Sequence, residues 1–361
     1  MAYPMHRGAL IGCGFIANQK HLPALAKLEN RIQLVAFCDL VEERAQKAAK
    51  EYGTPDAAVY TDYREMLRRS DLDVVYILTP NRTHCELTIA ALESGKDVLC
   101  EKPMALNSVE AERMCEAARA SGRQLTIGYQ NRYRLDSRYL KKVVENGELG
   151  EVYLAKAHAV RRRGIPTWGV FLNEAEQGGG ALIDIGTHAL DMTLWIMNNY
   201  KPKRVLGSVY HKLSDQTETA NAWGDWDPKE FTVEDSAFAM IQMEDGATIM
   251  LESSWALNSL DVDEAKTSLC GTKAGADMKQ GLRINGVKHN QQYTQQVALG
   301  EGGVDFYDGS GEEPEEMEAR TWIDAVVNDK DPVVLPEQAY VVTQILEAIY
   351  ESAKTGKAVE L

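Results

Sequence analysis

Nowhere in these 361 residues does an apolar run approach the ~20 residues a helix needs to cross a bilayer. A positive charge balance is lacking too: 39 Lys and Arg stand against 54 Asp and Glu, a formal net charge of −15. A field of that sign repels phosphate backbones and anionic lipid, so neither nucleic acid nor a membrane surface is expected as partner. Paired cysteines are missing as well. Cys13, Cys38, Cys85, Cys100, Cys115 and Cys270 form no CxxC pair, which favours reduced, buried thiols in the cytoplasm over a disulfide framework or a thiolate metal site. The opening MAYPMHRGALIGCGF has a short apolar run broken by glycines. It reads as a first strand and not as the core of a signal peptide. With 44% hydrophobic and 26% charged residues, the chain has a globular composition and a length suited to two domains.

What is present first is an alternation of strands and helices. Residues 7–12, RGALIG, form a short apolar strand leading into Gly12-Cys13-Gly14-Phe15-Ile16-Ala17, a GxGxxA turn. Gly12 permits the tight turn, Gly14 lets backbone approach a pyrophosphate, and Ala17 allows close helix–strand packing. The N–H groups opening the helix then face the phosphates. Glycine turns after strands are common, so context decides. A second strand, 33–38, ends at Asp39, 22 residues past Ala17. An acid there can accept hydrogen bonds from the ribose hydroxyls of adenosine and repel a 2′-phosphate, which favours NAD over NADP. Leu40 follows, not an arginine, although Arg44 lies close enough to blur the distinction. The bland alternative is that Asp39 starts a loop or caps helix 41–52.

Helix 61–69 then precedes strand 73–78, which stops at Thr79-Pro80-Asn81. Helix 83–94 leads to strand 97–100 and Glu101-Lys102-Pro103, followed by helix 108–121 and strand 124–127. Repeated βα units of this length predict a doubly wound parallel α/β sheet over residues 1–127, with ligands at the carboxyl ends of its strands. Lys102 at such an end is either a solvated loop residue or a donor to a reacting hydroxyl oxygen.

Beyond residue 128 the pattern changes. Strands at 152–161, 236–243 and 247–256, the latter two joined through Glu244-Asp245-Gly246, predict an antiparallel sheet. Leu282-Arg283-Ile284 and the segment after Asn285-Gly286 read as a second hairpin. Helices at 315–328 and 336–355 are expected to cover that sheet, giving an α+β domain over residues 128–361. The stretch 286–318, polar and glycine-rich, reads as a solvated loop followed by an acidic helical turn.

Within this domain GGGALIDIGTHALDM, residues 178–192, places Asp184, His188 and Asp191 at spacings of four and three, one stripe of a helix. Metal binding is disfavoured: two carboxylates and one imidazole are a poor zinc set, and His158 and His211 stand isolated. Capping explains Asp184 but not His188. A proton relay explains both, since alcohol oxidation with a nicotinamide needs a base for the hydroxyl proton. Asp191 either positions His188 or is structural, the reading preferred here. Arg161-Arg162-Arg163 either holds an anionic substrate or lines a sugar pocket, or else makes ordinary ion pairs. Trp168 either stacks on a ring or packs in the core.

Taken together, GCGFIA, TPNRTH (79–84), EKPM (101–104) and GGGALIDIGTHALD resemble the glucose–fructose oxidoreductase and inositol dehydrogenase family, Gfo/Idh/MocA, over almost the whole chain. The resemblance implies a Rossmann domain and a second domain with a large, open, mostly antiparallel sheet whose exposed face makes dimer or tetramer contacts. It implies Lys102, Asp184 and His188 as the catalytic group: His188 as base, Lys102 as donor to the reacting oxygen, Asp184 as substrate binder. It implies cofactor contacts at Gly12, Gly14, Phe15, Ile16 and Asp39, at Thr79, Pro80, Asn81 and His84, and at Glu101, Lys102 and Gln130. Substrate contacts are implied at Lys102, Arg132, Arg163, Trp168, Asp184 and His188. For Gln130 and Arg132, capping and surface pairing stay open. The glycines 178–180 are expected to let backbone approach cofactor or substrate.

Three function classes follow. The first is an NAD-dependent dehydrogenase of a ring hydroxyl in a sugar, glycoside (C3 of a glucoside) or inositol, in a family some of whose members hold the nicotinamide tightly. The second is a glycosidase acting by transient C3 oxidation. The third is a nucleotide sensor, against which Lys102, Asp184 and His188 together argue.

Overall fold

The computed structural model describes residues 5–216, 218–299 and 311–361, and the strand–helix alternation folds as a doubly wound sheet. Six parallel strands, His6–Ile11 (β1), Ile32–Cys38 (β2), Ala58–Tyr60 (β3), Val74–Ile77 (β4), Asp97–Cys100 (β5) and Leu125–Ile127 (β6), lie in the order β3-β2-β1-β4-β5-β6. β4, β5 and β6 are buried along their length, as strands covered on both faces must be. The order reverses between β1 and β4, so the crevice at the carboxyl end of β1 is the switch point where such sheets take ligands. The helices are Leu22–Ala26 (α1), Glu42–Tyr52 (α2), Tyr63–Leu67 (α3), His84–Glu93 (α4) and Ser108–Ser121 (α5). α5 shows how locally these ends are set: the Asn107 side chain accepts from Glu110 N, and Gly122 closes the helix at φ +63°.

The second sheet has nine strands. In chain order the elements are Leu135–Glu145 (α6), Val152–Val160 (β7), Glu174–Gln177 (α7), Thr187–Met197 (α8), Pro202–Tyr210 (β8), Ser236–Met243 (β9), Thr248–Ser254 (β10), Asp263–Gly271 (β11), Ala274–Asp277 (β12), Arg283–Lys288 (β13) and Gln291–Gln296 (β14). Pro314–Asn328 (α9), Pro336–Thr355 (α10) and Val359–Glu360 (β15) follow. The sheet order is β14-β13-β12-β11-β7-β10-β9-β8-β15, antiparallel at every pair except β7 with β10. β7 turns Ala155, Ala157 and Ala159, all fully buried, to one face. These small side chains let α8 pack closely across β7 and β11. Nine of the 11 residues of α8 are buried.

The chain divides into two compact units, the described residues of 1–130 with Glu312–Tyr340 and those of 131–311 with Val341–Leu361. Three expectations are corrected. α9 does not cover the second sheet: its Ala319, Trp322 and Ile323 join Leu10, Leu34 and Tyr76 in the first unit's core. The late hairpin does not turn at Asn285-Gly286, which lie inside β13. It turns at His289-Asn290, both at positive φ (53° and 60°), the backbone that two-residue hairpins require. The expected loop beginning at 286 is therefore strand to residue 296, and its 300–310 portion lies outside the described residues.

Candidate active site

At the end of β1, Gly12 has φ +93°, and a Cβ there would lie 2.6 Å from the Leu78 carbonyl oxygen. No other residue fits that turn. Gly14 is the opposite case: nothing lies within 4 Å of where its Cβ would be, leaving bare backbone for a phosphate to approach. The Asn18 side-chain amide donates to the carbonyls of Cys13 (2.9 Å) and Gly14 (2.6 Å) and holds the turn. Asp39 is tied to the same turn, accepting from Cys13 N at 2.7 Å and Val41 N at 2.9 Å. One backbone donor on each carboxylate oxygen leaves lone pairs for ribose hydroxyls. An open glycine beside a fixed carboxylate fits a dinucleotide. Phe15 is exposed, and Ile16 is half-buried against the core.

Thr79, Pro80 and Asn81 follow β4. Thr83 Oγ1 donates to Thr79 Oγ1 at 2.7 Å and so fixes this corner. His84 is fully buried, with Nε2 2.9 Å from the Thr79 carbonyl oxygen and Nδ1 2.8 Å from that of Pro103. It therefore ties together the two loops that carry Asn81 and Lys102. Burial lowers its pKa against the pull of those carbonyls.

Glu101 is also buried. Its Oε1 accepts from Lys20 Nζ and faces His21 Nε2, both at 2.7 Å, while Oε2 accepts from the Lys102 backbone N at 3.0 Å. Burial pushes this carboxyl up, but the Lys20 charge and the His21 contact outweigh it and hold it well below the usual range. Lys20 also reaches Glu318 Oε2 (2.8 Å) on α9 and Gln130 Oε1 (3.0 Å). Lys20 and His21 end a π-helical turn, Ala17–His21, a widened turn common at functional sites. Sequence reading missed Lys20, His21 and Glu318. Lys102, by contrast, is only partly buried, directly before the cis-linked Pro103.

In the second unit the glycine run has a definite cause. A Cβ on Gly179 would fall 2.0 Å from the Tyr350 hydroxyl, and one on Gly180 would fall 2.0 Å from the Glu234 carbonyl oxygen. The close approach is thus to the protein's own Tyr350 and Glu234, which corrects the expected approach to a ligand. The buried Glu234 carboxylate accepts from Gly180 N and Leu182 N, both at 2.8 Å, and so anchors the start of a second π-helical turn, Leu182–Gly186.

That turn carries Asp184, and α8 begins immediately after it, so the expected stripe separates by partner. Asp184 Oδ2 accepts from Trp255 Nε1 at 2.9 Å and lies 3.8 Å from Arg161 Nη1. His188 lies in the first turn of α8, 9% exposed. Asp191 is fully buried and paired with Arg132, which donates from Nε at 2.9 Å and Nη2 at 2.6 Å. The Arg132 guanidinium is closed to solvent and faces Asp191. Arg163 donates to Asn258 Oδ1 (2.6 Å) and to the Arg162 carbonyl (2.7 Å) on an exposed loop. Trp168 is 37% exposed and meets Trp223 edge to face. Of these two neighbours of Asp184, Arg161 belongs to the arginine run left open between a sugar pocket and ion pairing, whereas Trp255 carries no local sequence signal. Among the described residues no group of three His, Cys, Asp or Glu side chains could hold a metal ion.

Comparison with known proteins agrees with both halves. Residues 6–129 match the model of an oxidoreductase family with an NAD-binding Rossmann fold, and residues 141–361 match that family's C-terminal alpha/beta domain. The D-glucoside 3-dehydrogenase of Escherichia coli K12 is 37% identical over 355 residues, 98% of this chain and 97% of that protein. An inositol 2-dehydrogenase of Salmonella typhimurium is 29% identical over 55% of this chain and 57% of its own length. Among solved structures, the aldose-aldose oxidoreductase of Caulobacter crescentus, complexed with glycerol, shares the fold. Its TM-score is 0.80 at 24% identity, over 99% of this chain and 100% of that one. A levoglucosan dehydrogenase in complex with NADH and levoglucosan does likewise, with TM-score 0.83 at 22% identity over 99% of each chain.

Proposed function

The chain belongs to the Gfo/Idh/MocA oxidoreductase family, and we propose that within it this enzyme oxidises the C3 hydroxyl of glucosides to a ketone, with NAD as the hydride acceptor. The observation that carries this reading is the near full-length match to a D-glucoside 3-dehydrogenase, in a chain whose sequence contains Lys102, Asp184 and His188. NAD supplies the electron-accepting ring when bound. Lys102 donates a hydrogen bond to the reacting oxygen and stabilises the charge that develops there. His188 takes the hydroxyl proton. Asp184, its carboxylate oriented by Trp255 and Arg161, holds a neighbouring sugar hydroxyl. The first unit, the described residues of 1–130 with Glu312–Tyr340, serves the cofactor, and the second, those of 131–311 with Val341–Leu361, the substrate and subunit contacts. The test is product mass: with NAD and a keto-sugar acceptor, a panel of glucosides, free sugars and inositols should yield glucoside products lighter by two hydrogens. Release of free aglycone with unoxidised sugar would support transient oxidation by a glycosidase instead.

Asp39 supports NAD over NADP. Asp39→Ala should weaken NAD more than NADP, moving the ratio of their KM values about tenfold, the effect of losing one charge-assisted hydrogen bond. An unchanged ratio contradicts the assignment. The six cysteines, all free thiols, support a reducing cytoplasmic setting, and no helix among the described residues is long and apolar enough to cross a membrane.

The second sheet supports a homo-oligomer. Leu206, Met240 and Met250 sit side by side on β8, β9 and β10, each about two-fifths exposed, an apolar row that a second copy would cover. Met250→Lys should shift the dimer or tetramer toward monomer in light scattering; an unaltered mass rules out this face.

A further inference from the structure

Next to Asp184 the second unit carries an aromatic corner built by two loops. Trp168 and Trp223 meet with ring centroids 4.9 Å apart at 88°, and Phe171 lies 5.7 Å beyond Trp168 at 68°. Trp168 is 37% and Trp223 43% exposed, a large apolar area to leave in water.

The corner is held in place. The Asn221 side chain accepts from Ile165 N (2.8 Å) and donates to the carbonyls of Ile165 (3.0 Å) and Gly224 (2.8 Å). Thr167 Oγ1 donates to the Trp223 carbonyl at 2.5 Å, and Ala222 N to the Arg163 carbonyl at 3.3 Å. Arg161 joins the corner to the proposed sugar site. It lies 3.8 Å from Asp184 Oδ2, its guanidinium stands 5.2 Å from the centre of the Trp223 ring, and its Nε and Nη2 are bound to Glu264. The rings therefore begin one guanidinium away from the carboxylate that holds the sugar.

We propose that Trp168 and Trp223 form the aglycone site of this enzyme and that it prefers glucosides bearing an aromatic aglycone. This rests on the reading of the chain as a glucoside 3-dehydrogenase. In a pyranose whose C3 region is held at Asp184, the substituent on C1 extends past C2 and away from the reacting carbon. Two perpendicular indoles suit a flat ring, which can stack on one and meet the edge of the other. A second sugar would instead require hydrogen-bond partners. The side chains beside the corner, Asn221, Thr167 and Arg161, are engaged with backbone, with Glu264 or with each other's loops.

The test compares phenyl and methyl glucosides of matched anomeric configuration, with cellobiose and maltose as disaccharides, measured as 3-keto product per unit time. The wild type should prefer the phenyl glucosides in kcat/KM. Trp223→Ala and Trp168→Ala should each cut the phenyl-to-methyl preference about five- to tenfold, the worth of one aromatic pair, and Trp223→Phe should restore most of it. A merely structural role lowers both substrates together and leaves the ratio unchanged. That unchanged ratio overturns the proposal while glucoside oxidation stands, as does a larger loss with disaccharides than with phenyl glucosides. A wild type that oxidises no glucoside overturns both readings.

Discussion

Replacing Lys102 with methionine should leave a folded protein whose kcat for glucoside oxidation falls about 10³-fold, the usual loss when a group stabilising developing charge is removed. Folding should survive because Lys102 is not the lysine that holds this region. That role belongs to Lys20, buried against Glu101, Glu318 and Gln130, while Lys102 is partly exposed and methionine keeps most of its length. Glu101 would still accept from the backbone N of residue 102, so the loop should keep its course. Circular dichroism and the thermal midpoint check the fold, and single-turnover product formation checks the chemistry. Near-normal turnover would remove Lys102 from the mechanism. An unfolded variant would show that the loop depends on its charge.

The second large effect falls on stability. Asp191→Ala should cost about 3–5 kcal/mol, because the Arg132 guanidinium would remain buried with its partner gone. Arg132→Met combined with Asp191→Leu should cost much less, since a buried ion pair and an apolar pair of similar volume are often close in energy. Urea unfolding of the two variants and the wild type measures the difference. The same pair of variants separates structure from relay. Were Asp191 the group that positions His188, the double variant would be stable and inactive. A stable double variant that retains most of its turnover fits the geometry, in which both Asp191 oxygens accept from Arg132.

The first unit was legible because its signals are local. The turn after β1 needs a glycine that tolerates positive φ, the acid sits at the next strand's end, and Glu101-Lys102-Pro103 ends a buried strand, all within one pass of hydrophobic periodicity. The second unit was less so, because its constraints come from far along the chain. Nothing near Gly179 and Gly180 announces Tyr350 or Glu234, yet those two residues leave no room for a side chain. Asp191 finds its partner in Arg132, 59 residues earlier. The helical spacing of Asp184, His188 and Asp191, four and then three, points to one stripe, but a π-helical turn precedes α8 and the partners diverge. α9 failed for a related reason: an amphipathic helix shows that it has an apolar face, not which core takes it. In β13 the Asn285-Gly286 pair carries the strongest short turn signal, but His289-Asn290, two residues further on, makes the turn, and pairing with β12 and β14 carries the chain straight through the former.

The most direct measurement follows the transferred hydrogen itself. A phenyl glucoside carrying deuterium at C3 is mixed with the enzyme and NAD, quenched after a single turnover, and both the nicotinamide and the sugar are analysed by mass. The label should appear on the reduced nicotinamide and be lost from a sugar that has become a ketone. A label that stays on a sugar that has become a ketone, with unlabelled hydride on the nicotinamide, would contradict oxidation at C3.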